Sequence, residues 1–141
     1  MLKLIRARRK NGEKGQALAE FALLVPIFLI LLFAIVDFGM GFYSWISITN
    51  AAREGARLGA VLATQTQVED RVYQTVNLPN EGTKMTVTVT NAQGQPGESV
   101  VVKVDYGYDL ITPLAGVVSF VSGDILGPTL TFSSTAEMRL E

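Results

Sequence analysis

From Phe21 to Val36 the chain runs sixteen residues without a charge, opened by Glu20 and closed by Asp37. No other feature narrows the possible folds as much. At 1.5 Å per helical residue the run measures about 24 Å, slightly short of a bilayer's hydrocarbon core. Carrying it on through residues 38–46, where Phe42, Tyr43 and Trp45 form an interfacial aromatic cluster, gives an adequate span, so a membrane-spanning segment is expected over about 17–46. Pro26 removes a backbone donor inside the run and is expected to kink the helix, which lipid-embedded helices tolerate better than soluble ones.

Charge is distributed unevenly around this run. Six basic residues against Glu13 alone give the first 14 residues a charge of +5, while six basic and twelve acidic residues give the remainder −6. A basic tail beside an apolar run reads as the cytoplasmic flank of a membrane segment. A nucleic-acid arm is the rival reading, but no aromatic-bearing basic face follows, and nucleic acid is not expected as a partner. The chain has no cysteine and no histidine, which removes disulfides, thiolate metal sites and the commonest general base.

Glu20 poses a physical problem. An unpaired charge in lipid is disfavoured by about 2.5–3.5 kcal/mol or more at a helix centre, and by less near the interface. The carboxylate must therefore stay wet or find a partner. A secretory signal places its small-residue cleavage site after the apolar region. Here Gly15 precedes the run and directly follows the basic tail.

The order Gly15-Gln16-Ala17-Leu18-Ala19-Glu20-Phe21 resembles the processing site of type IV prepilins, and Phe21 after the glutamate resembles the tight-adherence (Tad) subset. "NAAREGARLGA" after "DFG" is similar to TadE-like pseudopilins, as is the final strand ending at Glu141. The resemblance implies that a prepilin peptidase cuts between Gly15 and Gln16, leaving 1–15 as a discarded leader. It implies that the new ammonium of Gln16 pairs with Glu20 of a neighbouring subunit, two charges becoming tolerable together in low dielectric. It further implies a minor pilin or pseudopilin, a structural subunit and not an enzyme. The implied partners are other pilin subunits, the assembly platform with its ATPase, and the bilayer, with an extracytoplasmic domain destined for a cell-surface pilus. An uncleaved bitopic anchor presenting a small binding domain is the alternative.

The helical pattern continues past the apolar run, so one long helix is expected over 16–63. Ala51, Gly55, Gly59 and Ala63 recur at i, i+4 and form a small-residue stripe that admits close approach of another element. That element is either a neighbouring subunit or the protein's own sheet. Glu54 and Arg57 are spaced for an i, i+3 pair. In "TQVEDRVYQTV" the pair Thr66 and Glu69 reads as a capping box, with Val68, Val72 and Val76 on one face of a short second helix.

Beyond Pro79 the period becomes two. Met85, Val87 and Val89 alternate with threonines, Val100, Val102, Val104, Tyr106 and Tyr108 alternate likewise, and "NAQGQPG" between them is turn chemistry. Leu130, Phe132, Ser134, Ala136, Met138 and Leu140 mark a third strand. Residues 113–128 read as a short helix from about Pro113 or as an irregular loop. The expected architecture is α+β and type IV pilin-like: the long helix packed on a small antiparallel three-stranded sheet, with residues 64–141 forming the extracytoplasmic domain.

No catalytic arrangement emerges. Glu69 and Asp70 are adjacent and point about 100° apart on a helix. Asp105, Asp109 and Asp124 match no calcium-loop spacing, and neither a metal nor another cofactor is expected. Asp37 is the candidate intramembrane acid. It is either a carboxylate at the interface, where charge is tolerated, or one that pairs with a basic group on a neighbouring subunit or the assembly platform.

Overall fold

The computed structural model describes residues 2–123 and 129–141, with side chains described from residue 15 onward. Its elements in chain order are α1 (Leu2–Gly59), α2 (Gln65–Thr75), α3 (Glu81–Lys84), β1 (Met85–Thr90), β2 (Ser99–Asp109), α4 (Leu114–Ser122) and β3 (Thr129–Arg139). The chain divides into two compact units, Met1–Val36 and Asp37–Glu141, and α1 contributes to both.

In the first unit the described residues are helical throughout, and Pro26 lies inside α1 without ending it. From Leu18 to Val36 the large apolar side chains stand largely open, Leu23 at 75 % and Ile35 at 72 % exposure. Among the described residues, Gly15–Gly59 is the one helix long and apolar enough to cross a membrane.

The second unit has the α+β architecture expected from the period-two segments. Its sheet has the order β1-β2-β3 with both pairings antiparallel. The register aligns the alternating apolar positions on one face: Val87 opposite Val104, Val89 opposite Val102, Met85 opposite Tyr106. On the other side of β2, Val100 faces Met138, Val102 faces Ala136 and Tyr106 faces Phe132. Central β2 is covered from both flanks, so Val100, Val102 and Val104 are fully buried, whereas the corresponding positions of β3 are half-buried. Burying each such valine contributes roughly 1.5–3 kcal/mol.

Ile48, Ala51, Ala52 and Ala56 of α1 complete this core together with Val68 and Val72 of α2. The small-residue stripe therefore meets this protein's own domain. A Cβ placed on Gly55 would lie 2.6 Å from a methyl of Val72, and one on Gly59 would lie 2.9 Å from a methyl of Val100. Hydrogen is the largest side chain that fits at either position without displacing a neighbour, which accounts for two poor helix formers on one face. Ala63 packs at the margin of the same core.

Two boundaries differ from the sequence reading. Helix α1 ends at Gly59; the chain turns through residues 60–62, with Leu62 at φ 61°, so Ala63 lies beyond the helix. Helix α2 is capped by Thr64 and not Thr66. The Gln67 N–H donates to Thr64 Oγ1 at 3.3 Å and the Thr64 N–H donates to Gln67 Oε1 at 2.9 Å, a capping box one register earlier. Both Thr-x-x-Glu/Gln spacings satisfy the motif, and the left-handed turn at Leu62 brings the chain into the helix at the first. Glu69 instead accepts from Gln65 Nε2 at 2.7 Å.

Candidate functional site

Two carboxylates flank the apolar run, and the structure treats them oppositely. In the first unit Gln16 and Glu20 lie one helical turn apart on exposed surface. The Gln16 side-chain amide donates to Glu20 Oε1 at 2.9 Å. Gly15 sits in helical backbone with open space where a Cβ would stand. The expected processing bond and the expected charge-pairing residues are thus contiguous and accessible.

Asp37 opens the second unit and is only 3 % exposed. Its Oδ1 accepts from the backbone N–H of Ile111 at 2.9 Å and of Thr112 at 3.3 Å, and lies 3.4 Å from the Tyr108 hydroxyl, while its Oδ2 accepts from the Thr112 hydroxyl. The Tyr108 hydroxyl also donates to the Asp37 carbonyl at 3.3 Å. Both carboxylate oxygens are thereby engaged by donors from the segment that leads into α4. Thr112 Oγ1 in turn accepts from the Leu114 N–H at 3.2 Å, which ties the first turn of α4 to the same cluster. Burial, and then the negative charge of Asp37 beside it, push the Tyr108 phenol above its ordinary pKa.

This cluster ends a continuous buried row on α1. Asp37, Gly41, Ser44, Ile48, Ala51, Gly55 and Gly59 follow at intervals of three and four, one face of a 3.6-residue helix. The sequence reading picked up the row only from Ala51. Its upper part escaped notice because an aspartate, a glycine and a serine carry no apolar signal; the recurrence of residues unlike their bulky neighbours at that spacing was the available clue. Tyr108 and Thr112 were likewise missed as partners of Asp37, although Thr-Pro at 112–113 is a recognisable entry into a helix.

Beside the cluster, apolar side chains surround a groove of about 650 Å³, to which α1 contributes Phe38, Phe42 and Trp45, and α4 contributes Leu114 and Val118. Phe132 of β3 lines it too, its ring 6.0 Å from that of Tyr108.

Three further acidic groups, Glu54, Asp105 and Asp109, are engaged with cations. Glu54 accepts from Arg57 at 2.9 Å and from Arg71 of α2 at 3.4 Å, and the Arg57 hydrogen bond holds its carboxyl below the ordinary range. Asp105 pairs with Lys103 at 2.9 Å on the same strand. Asp109 pairs with Lys84 and accepts from the Thr129 hydroxyl at 2.7 Å, and these contacts lower its pKa, the lysine most. Asp105 and Asp109 thus have lysine partners instead of converging on one ion, and Asp124 lies outside the described residues.

Residues 15–57 match the family model of TadE-like proteins. Over this segment the chain is similar to TadE-like proteins. No curated protein and no solved structure matches the chain significantly. The TadE-like segment begins at Gly15, contains Gln16, Glu20, Asp37, Ala51 and Gly55, and stops short of Gly59 and the whole sheet.

Proposed function

We propose that this chain is a minor pilin or pseudopilin of a Tad-type pilus, processed by a prepilin peptidase after Gly15. The TadE-like match over 15–57 supports a pilin-like, Tad-pilus-associated protein. The observation that carries the finer reading is the state of Glu20. It is exposed at the head of the apolar run, and the partner it holds is a neutral amide. Cleavage after Gly15 converts Gln16 into a residue bearing an ammonium, the charge that matches Glu20 of another copy once both enter an apolar bundle. The pair tolerates low dielectric because each group supplies the other's counter-charge, and it sets axial register between helices as buried polar residues do in coiled coils.

On this reading the basic leader stays cytoplasmic, the apolar helix holds the subunit in the membrane until assembly, and the sheet domain is extracytoplasmic. The role is structural, with other pilins, the assembly platform and its ATPase as partners. Intact-mass measurement of protein from native membranes tests it. A mature chain starting at Gln16 is expected, and full-length material in a strain with active peptidase overturns it. Because nothing lies within 4 Å of a Cβ built on Gly15, Gly15→Ala leaves local packing unchanged, and loss of maturation in that variant reports recognition at the cut. An uncleaved anchor would be indifferent to the same substitution.

A further inference from the structure

We infer that the face of the second unit formed by α4 and the neighbouring turns of α1 is a lipid-contacting collar, seated in the outer leaflet around the point where the helix leaves the membrane. The inference rests on the membrane-anchor part of the function proposed above and adds a lipid site within the folded domain.

The first argument is length. A hydrocarbon core of about 30 Å takes about 20 helical residues. Counted from Phe21, the first residue after Glu20, that reaches about position 40. Asp37 is bonded directly to Val36, one Cα step of about 3.8 Å from the end of the apolar run. Asp37 and the segment it holds therefore lie at or below the hydrocarbon boundary. A carboxylate at that depth needs its oxygens satisfied by protein, and the N–H groups of Ile111 and Thr112 and the Thr112 hydroxyl do so.

The second argument is chemistry. The clamp on Asp37 draws α4 to the same depth, and α4 is apolar on its open side. Phe120 is 89 % exposed, Val121 78 % and Ile111 61 %. Residues 110–123 contain no charge, nor do residues 38–52 of α1. Phe38, Phe42 and Trp45 are open beside the groove that Leu114 and Val118 share. Aromatic residues with a polar edge favour the headgroup level, and a short uncharged helix with protruding Phe and Val is suited to the headgroup–acyl boundary. The Lys84–Asp109 pair, immediately before Leu110, marks where charge resumes and fixes the depth limit.

The chain has no cysteine, so single-cysteine variants report position directly. Phe120→Cys, Ile35→Cys in the apolar run and Thr88→Cys on the exposed face of β1 are placed in the full chain, reconstituted in phosphatidylcholine–phosphatidylglycerol vesicles. Each is read by water-soluble maleimide labelling and by quenching of an attached fluorophore with chain-brominated lipid. All three sites are exposed in the fold, so none disturbs the core. The collar predicts that Phe120→Cys labels at least about tenfold more slowly than Thr88→Cys and is quenched by brominated lipid, as Ile35→Cys is. Fast labelling of Phe120→Cys with Ile35→Cys still protected overturns the collar and leaves the anchor standing. Slow labelling without lipid quenching overturns it in favour of a second copy covering this face. Fast labelling of Ile35→Cys overturns the membrane anchor itself, and the collar with it.

Discussion

Glu20 and Asp37 differ by one methylene and bracket the same apolar run, yet one is left at the surface and the other is built into the domain. Glu20 is exposed and holds a neutral amide from its own helix. Asp37 is buried beneath four donor groups, three of them from residues 111 and 112. The contrast separates two uses of a carboxylate near lipid. Asp37 has its oxygens saturated inside the molecule and fastens the β2–α4 connection to α1. Glu20 retains acceptor capacity toward an external cation. The two stretches of α1 show the same division: residues 21–36 are apolar and mostly exposed, whereas the row from Asp37 to Gly59 is matched by the protein's own helices and sheet.

The largest effect expected from this comparison concerns Glu20. Glu20→Ala should leave membrane insertion and the thermal unfolding of the domain unchanged while abolishing incorporation into filaments, scored by electron microscopy of sheared surface material. Normal piliation would remove the pairing mechanism. Asp37→Ala should do the converse. It strips an acceptor from two backbone N–H groups and a hydroxyl in a buried cluster, at about 1–3 kcal/mol for a group left unsatisfied, so a loss of about 3 kcal/mol is expected in denaturant unfolding of the full chain in detergent. Asp37→Asn keeps an acceptor for the N–H groups and should cost about 1 kcal/mol, a ranking that distinguishes hydrogen bonding from charge.

Gly55→Leu probes the lower part of the row. The nearest Val72 methyl already stands 2.6 Å from the position of a Cβ, and overpacking of about 1–3 kcal/mol follows, read as a lowered denaturant midpoint. Acid should have the smallest effect. Glu54, Asp105 and Asp109 have pKa values depressed in the folded state, from ordinary values of 4.5 for the glutamate and 3.8 for the aspartates. Their contribution is present above those ordinary values and is lost as pH falls through the depressed ones. These groups are partly exposed and solvent screens their pairs, so the acid limb of the stability profile should be shallow and flatten further in high salt.

Much of the fold was legible because its signals are local. Alternation at Val100, Val102 and Val104 specified the buried face of β2, and Val68 and Val72 specified the inner face of α2, since side-chain direction follows from backbone period alone; Val76, expected on the same face, is buried just past the helix end. The Glu54–Arg57 pair was legible for the same reason. The cap of α2 was ambiguous because Thr64 and Thr66 both satisfy the spacing rule, and a turn at Leu62 chose between them. Residues 113–128 were open between helix and loop; Leu114–Ser122 is helical, with its first turn held through Thr112.

By itself, then, the sequence determined the apolar run, the order of basic tail, glycine, glutamate and helix, and the period of each strand, all properties of neighbours along the chain. Tertiary structure decided what the carboxylate of Asp37 and the glycines of α1 are for. The partners of Asp37 stand 71, 74 and 75 positions away, and the methyls that exclude a side chain at Gly55 and Gly59 belong to α2 and β2. Hydrogen-bond saturation and close packing depend on which distant segments meet, and that is settled only when the sheet folds against the helix.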